Sequence, residues 1–284
     1  MELSEVRKEI DSVDSEIKEL FKKRMKLADE VARIKALTED DIFKPDREAS
    51  IIEKQTENVD ESIKLEYTAL IKRIMEISRK YQYGRTLKLR DCFNVDYIEI
   101  EPAIEDAAVV KEELYIVNSV SKDKMLTVEN HEELAGAVLS GKVSAGIGIM
   151  ENIGVDVSDG LHKILVNNPL YINRCDIVQD GKYRKKVVTF SNNLVVLPKH
   201  NRLKIMFVCK NRSGSLASVL SMISDYGVNL TEIHSKPYID NDWNYIFMLE
   251  MTASLLKEED RALVYQLMNE TDEFKILGSY RCSD

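Results

Sequence analysis

A chain of 284 residues, 44% hydrophobic and 31% charged, holds enough apolar material for two or three small cores. A formal net charge of -9 argues against nucleic acid or an anionic membrane as partner, while local basic clusters stay free to hold a small anion. No apolar run approaches the ~18 residues of a membrane span, and the N-terminus MELSEVRKEIDS lacks an apolar signal core, so a cytoplasmic protein is expected.

From Leu3 to about Ala36 there is no Pro or Gly, and Val6, Ile10, Val13, Ile17, Leu20, Leu27, Val31 and Ile34 keep a 4-3 apolar spacing. The spacing predicts one amphipathic helix, on the order of 50 Å long and longer than a small domain is wide. TEDDIFKP reads as a turn. A second helix follows from about Pro45 to Glu57 and a third from about Asp60 to Tyr83, carrying Ile63, Tyr67, Leu70, Ile71, Ile74 and Ile77. Helices so unequal in length make a poor monomeric bundle, and a homodimer that shares the long helix solves the packing.

Several charges do not fit a plain bundle. The 4-3 series has one gap, and Arg24 fills it; an arginine on a packed seam is costly unless an anion meets it. Arg7 and Lys35 stand 28 residues apart on the flank of the same seam, about 42 Å along a helix. Antiparallel pairing of two long helices brings Arg7 of one chain toward the Arg24 to Lys35 region of the other. Arg47 occupies the first turn of the second helix beside Asp46 and Glu48, where a cation opposes the helix dipole unless an anion offsets it. On the third helix Ser78 and Gln82 share a face at i, i+4. Together Arg7, Arg24, Lys35, Arg47, Glu48, Ser78 and Gln82 describe a pocket for a small dianion that also carries a hydroxyl and an ether. Lys44 has no assigned place.

After Gly84 the runs DYIEIE, LYIVNSV, SAGIGIM, KVVTF and NLVVLP read as strands around a helical ENHEELAGAVLSG, which predicts a separate α/β domain. The GIG at Gly146 to Gly148 is not a dinucleotide fingerprint, because residue 151 is Glu. From Leu203 the order strand, helix, strand, strand, helix, strand predicts the split βαββαβ arrangement. Cys92, Cys175, Cys209 and Cys282 are far apart in sequence and read as reduced, mostly buried thiols. His131, His162, His200 and His234 are equally isolated, so neither a metal site nor a cofactor is expected.

Residues 1–90 resemble the all-helical (AroQ-type) class of chorismate mutase. The likeness rests on VRKEID at Arg7, KKRMKLADEVARIK with Arg24 and Lys35, PDRE with Arg47 and Glu48, and EISRKYQ with Ser78 and Gln82, all in order. The resemblance implies an intertwined dimer that rearranges chorismate to prephenate without nucleophile, metal or cofactor. In that scheme the partner's Arg7, Arg24 and Arg47 grip the carboxylates, with Ser78 as an added polar contact. Glu48 accepts from the ring hydroxyl, and Lys35 and Gln82 donate to the ether oxygen.

Residues 127–175 resemble the first lobe of prephenate dehydratase through EELAGAVLSGKV, SAGIGIMEN and IGVDVSDGLHKILVN, with Met150, Glu151 and Asn152 at the family's IEN. The family's Gly-Pro-x-Gly-Thr turn is missing, and in place of its Thr-Arg-Phe the chain has Thr189 followed directly by Phe190. A degenerate lobe without dehydratase activity is therefore expected. Residues 203–284 resemble the ACT regulatory domain. Gly214, Ser215 and Leu216 stand at its Gly-Ala-Leu, and VNLTEIHSKP keeps Asn229, Leu230, Thr231, Ser235 and Pro237 of its INLTxIESRP, with His234 and Lys236 in place of Glu and Arg. The resemblance implies binding of phenylalanine between paired domains.

The expected architecture is thus multidomain: an all-α intertwined-dimer mutase domain at 1–90, a partial dehydratase-like α/β domain at 91–200, and an α+β ferredoxin-like ACT domain at 201–284. Expected partners are chorismate, prephenate, phenylalanine as effector, and a second or further copy of the chain. Two rivals are an active bifunctional mutase and dehydratase, and a non-catalytic amino-acid-binding regulator that uses the helices only to dimerise.

Overall fold

The structure is a computed structural model that describes residues 2–117, 124–209, 213–237 and 245–282. It divides into two compact units, residues 1–94 and 95–284.

The first unit is helical. Helix α1 spans Leu3–Thr38, starts in a capping box between Glu2 and Glu5, and stops where Glu39 turns left-handed at φ 58°. Helix α2, Pro45–Thr56, has Pro45 in its first turn. Helix α3 spans Lys64–Leu89, later at both ends than the pattern predicts. Its start is delayed because Asp60 Oδ1 takes the amide of Ser62 at 2.8 Å in a turn. Gly84 lies inside the helix rather than ending it.

Arg24 beside Ser78, Asp29 beside Arg85 and Glu39 beside Arg90 align α1 and α3 in the same direction. Only the C-terminal half of α1 has this support. Ala28 and Ala32 are its sole buried residues, while Ile10, Val13, Ile17 and Leu20 are each more than half exposed. The predicted apolar seam is present and bare.

The second unit is built on one ten-stranded sheet. Its elements are β1 Asp106–Val110, a 3-10 turn Lys111–Glu113, α4 Leu114–Val117, β2 Lys124–Val128, α5 His131–Leu139, β3 Ala145–Asn152, β4 Asp156–Val157, α6 Asp159–Asn167, β5 Tyr171–Asp180, β6 Tyr183–Ser191, β7 Arg202–Cys209, α7 Ser215–Asp225, β8 Leu230–Pro237, β9 Tyr245–Met251, α8 Glu258–Glu270 and β10 Asp272–Tyr280. The strand order is β2-β1-β3-β6-β5-β10-β7-β9-β8, with β4 paired to β3. Strands β2, β1 and β3 run parallel, and β6 and β5 continue antiparallel. The final four, β10-β7-β9-β8, are antiparallel throughout, as the βαββαβ order requires.

The boundary expected near residue 200 falls inside this continuous sheet. The halves join where Gly278 of β10 lies opposite Ile172 of β5. A Cβ on Gly278 would sit 2.3 Å from the Ile172 carbonyl oxygen, so only glycine permits the join. We expect Gly278→Ala to destabilise the protein by about 1–3 kcal/mol, measured as a lowered denaturant midpoint. An unchanged midpoint would show that the two half-sheets part freely.

Several local expectations need correction. Leu114–Val117 form a helical turn rather than a strand, and Asn118 to Val120 lie outside the described residues. DYIEIE and NLVVLP make only the isolated bridge Ile98 to Val195. The cysteines are not all distant in space. Cys175 and Cys282, both buried, place their sulfurs 3.4 Å apart as free thiols. Nor are all the histidines isolated, since the rings of His162 and His234 lie 5.9 Å apart.

Candidate active site

One face of α3 carries Met75, Ser78, Arg79 and Gln82 at i, i+3, i+4 and i+7. Opposite it, α1 presents Arg24, Ala28, Val31 and Lys35, and α2 presents Arg47, Glu48 and Ile51. Between them lies a cavity of about 280 Å³, lined also by Ile42 and Lys44. Six of the seven residues named from the sequence line it. Arg7 does not; it is exposed on the unsupported half of the same helix.

Most of the polar groups are held by hydrogen bonds. Arg24 donates to the hydroxyl of Ser78 and, at 3.3 Å, to the carbonyl of Ile74, which also accepts from Ser78 at 2.8 Å. Lys35 Nζ donates to the carbonyls of Asp41 at 2.6 Å and Ile42 at 3.0 Å, so the turn after α1 fixes its head. Gln82 Nε2 donates to Ser78 O at 3.2 Å, and its Oε1 is buried without a partner. Lys44, unplaced by sequence, lines the cavity and pairs with Asp40 at 2.6 Å.

The electrostatics favour an anion. Burial pulls the Arg24 guanidinium below its ordinary range, opposed by Glu48. Burial likewise lowers Lys35, Asp40 opposes it, and the nearby charges of Lys44 and Arg47 add to the lowering. Desolvated cations crowded around one cavity are stabilised by a bound anion, which they attract more strongly than they would in water. Arg24, Lys35, Lys44, Arg47 and Arg79 stand against a single carboxylate in the lining, Glu48.

Sequence reasoning missed Arg79. It is buried, donates from Nη1 to both oxygens of Glu48, and lies over the Phe43 ring. Its helical phase, one residue from Ser78 and three from Gln82, was the available signal.

The expected effector residues are not gathered into one cavity. Gly214, at φ 87°, caps the start of α7 with Ser215 and Leu216 in its first turn. Asn229 and Leu230 lie near the other end of that helix, in a shallow depression with Leu220, Ile223, Ser224, Gly227 and Val228. Thr231 and Ser235 are exposed on β8, the edge strand, and the Thr231 hydroxyl donates to Glu250 Oε1 at 2.9 Å.

Glu151, Glu232 and His234 bring possible metal-ligand atoms within 4.8 Å of one another. Glu232, however, already pairs with Lys186 at 2.8 Å and Lys204 at 3.0 Å, and these ammonium groups pull its carboxyl well below the usual range despite burial. Two adjacent cations oppose a metal ion there. The cluster ties β6, β7 and β8 together, with Glu250 of β9 also held by Lys186 and by the hydroxyl of Tyr280.

Residues 6–83 match the family described as chorismate mutase type II. Over 353 positions, covering 98% of both chains, the protein is 22% identical to a bifunctional chorismate mutase/prephenate dehydratase of Aquifex aeolicus (strain VF5). Three solved structures share the fold of most of the chain. One is described as GqqA, a novel type of quorum quenching acylases (TM-score 0.56, 18% identity, 63% of this chain and 96% of that one). The second is prephenate dehydratase from Streptococcus mutans (0.53, 19%, 63% and 99%). The third is prephenate dehydratase in complex with L-Phe from Arthrobacter aurescens (0.53, 12%, 62% and 89%). No described helix is long and apolar enough to cross a membrane. The chain carries a chorismate mutase type II domain at residues 6–83, followed by a mixed α/β region with the prephenate dehydratase fold.

Proposed function

We propose that the protein is a chorismate mutase that converts chorismate to prephenate in the α1–α2–α3 cavity, as a homodimer in which the partner's Arg7 completes each site. The convergence of Arg24, Lys35, Arg47, Glu48, Ser78 and Gln82 on one cavity carries this reading. The rearrangement breaks a C–O bond as a C–C bond forms within one molecule, so catalysis consists of holding the reactive conformer and stabilising charge on the ether oxygen. Arg24 and Arg47 grip the carboxylates. Lys35, desolvated and anchored by two carbonyls, and the remaining N–H of Gln82 supply donors for the ether oxygen. Glu48 accepts from the ring hydroxyl.

We infer further that dehydratase activity is lost. Strands β5 and β6 form a tight hairpin, with Asp180 paired to Tyr183 across the two-residue turn Gly181–Lys182, which supports a region too short for two full lobes. Thr189 and Phe190 are buried in β6, with the Phe190 ring packed under Gly146, and so serve the core. The Aquifex alignment also spans 353 positions against 284 residues here, so the relative carries tens of residues without counterpart. Residues 201–284 are read as an ACT domain that senses phenylalanine between two copies. Its four-stranded βαββαβ sheet and the L-Phe complex of the Arthrobacter protein support this.

Incubating the full chain with chorismate, with and without phenylalanine, tests all three. Prephenate should accumulate, and phenylalanine should alter the rate or raise the thermal midpoint. Phenylpyruvate formation would restore the dehydratase, no response to millimolar phenylalanine would reduce the last domain to architecture, and unconsumed chorismate would overturn the mutase assignment.

A further inference from the structure

Glu48 is surrounded by competitors. Arg24 lies close enough to feel its charge, and Arg47 is the preceding residue of the same helix turn. A carboxylate free to swing in such a cavity would pair with either arginine, removing a carboxylate-binding cation and filling part of the space the substrate needs. Arg79 prevents that. With 7% of its side chain exposed, it donates from Nη1 to Oε1 at 2.6 Å and Oε2 at 2.5 Å of Glu48. Its own guanidinium is steadied by the Phe43 ring, 4.8 Å from the ring centre. An ionised carboxylate offers about four acceptor directions, so two remain for a hydroxyl.

We propose that Arg79 is a positioning residue for the mutase reaction: it pins Glu48 against the wall of the cavity, keeping Arg24 and Arg47 available to the substrate dianion and Glu48 aimed at the ring hydroxyl. It acts through Glu48 and does not touch the substrate. The role rests on the mutase reading above.

The test is a double-mutant cycle on the full chain: wild type, Arg79→Met, Glu48→Gln and the double variant, each with steady-state kinetics on chorismate and a thermal midpoint. Arg79→Met should lower kcat/KM by about 10–100-fold, and the loss should divide between KM and kcat as it does in Glu48→Gln. In the Glu48→Gln background the same change should cost less than about 3-fold. Arg79→Lys should recover part of the loss, since an ammonium reaches the carboxylate but cannot stack as a planar fork. If Arg79→Met does not fold, Arg79→Lys closes the same cycle. Additive losses would assign Arg79 a direct contact with substrate and overturn the proposal, as would a lowered thermal midpoint with kcat/KM intact. A wild type that leaves chorismate unconsumed overturns the mutase reading along with it, whereas an active wild type with additive losses overturns only the role of Arg79.

Discussion

Replacing Lys35 with Ala should reduce kcat/KM for chorismate by about 10²–10³-fold or more while helical content is retained, because a preorganised donor aimed at developing charge contributes roughly 2.7–4 kcal/mol to the transition state. The large effect follows from how Lys35 is built in. Its ammonium is already stripped of much of its water, which lowers its proton affinity, and the Asp41 and Ile42 carbonyls hold it without neutralising it. The full charge is therefore available to an oxygen that gains electron density only as the C–O bond breaks. The loss should appear mainly in kcat, since the ether oxygen carries little charge in the ground state. Circular dichroism at 222 nm should be unchanged, because the exposed end of α1 does not depend on this contact. Turnover near the wild-type level would leave the helices as a dimerisation arm for a non-catalytic regulator.

That prediction rests on residues whose chemistry was open to sequence reading, and the reason is periodicity. A long helix without Pro or Gly maps residue number onto face, so Arg24 in an apolar seam is visible as an anomaly and Lys35 as its neighbour on the same face. The βαββαβ order was legible for a similar reason, each run being bounded by turn residues. What stayed hidden depends on chain segments far apart in sequence. The Glu48–Arg79 pair spans 31 residues and two helices. Gly278 against Ile172 and Cys175 against Cys282 are set by how the two half-sheets meet, which no local pattern records. Leu114–Val117 are rich in β-formers, yet they follow a 3-10 turn and coil as a helix, an instance of tertiary context overriding propensity. The effector set was named from adjacency in motifs, and its two parts stand toward opposite ends of α7, Ser215–Asp225.

Mixing Arg7→Ala and Lys35→Ala chains, each nearly inactive alone, should restore about a quarter of wild-type activity once subunits exchange. Within one chain Arg7 does not line the cavity, since it lies 28 residues before Lys35 on the same helix, about 42 Å along its axis. The exposed seam of Ile10, Val13, Ile17 and Leu20 offers the surface on which a second α1 would pack. In a mixed dimer, one cavity combines an intact Lys35 with the partner's Arg7 also intact, while the other carries both defects. Half of randomly assorted dimers are mixed and half of their sites are whole, which gives the quarter. A Val13→Glu, Ile17→Glu chain supplies the control: charge on the seam should abolish dimers in analytical ultracentrifugation and turnover together. If the mixture stays as inactive as its components although heterodimers are seen by native mass spectrometry, then Arg7 contributes nothing across the seam. The cavity of α1, α2 and α3 would then have to be complete within one chain.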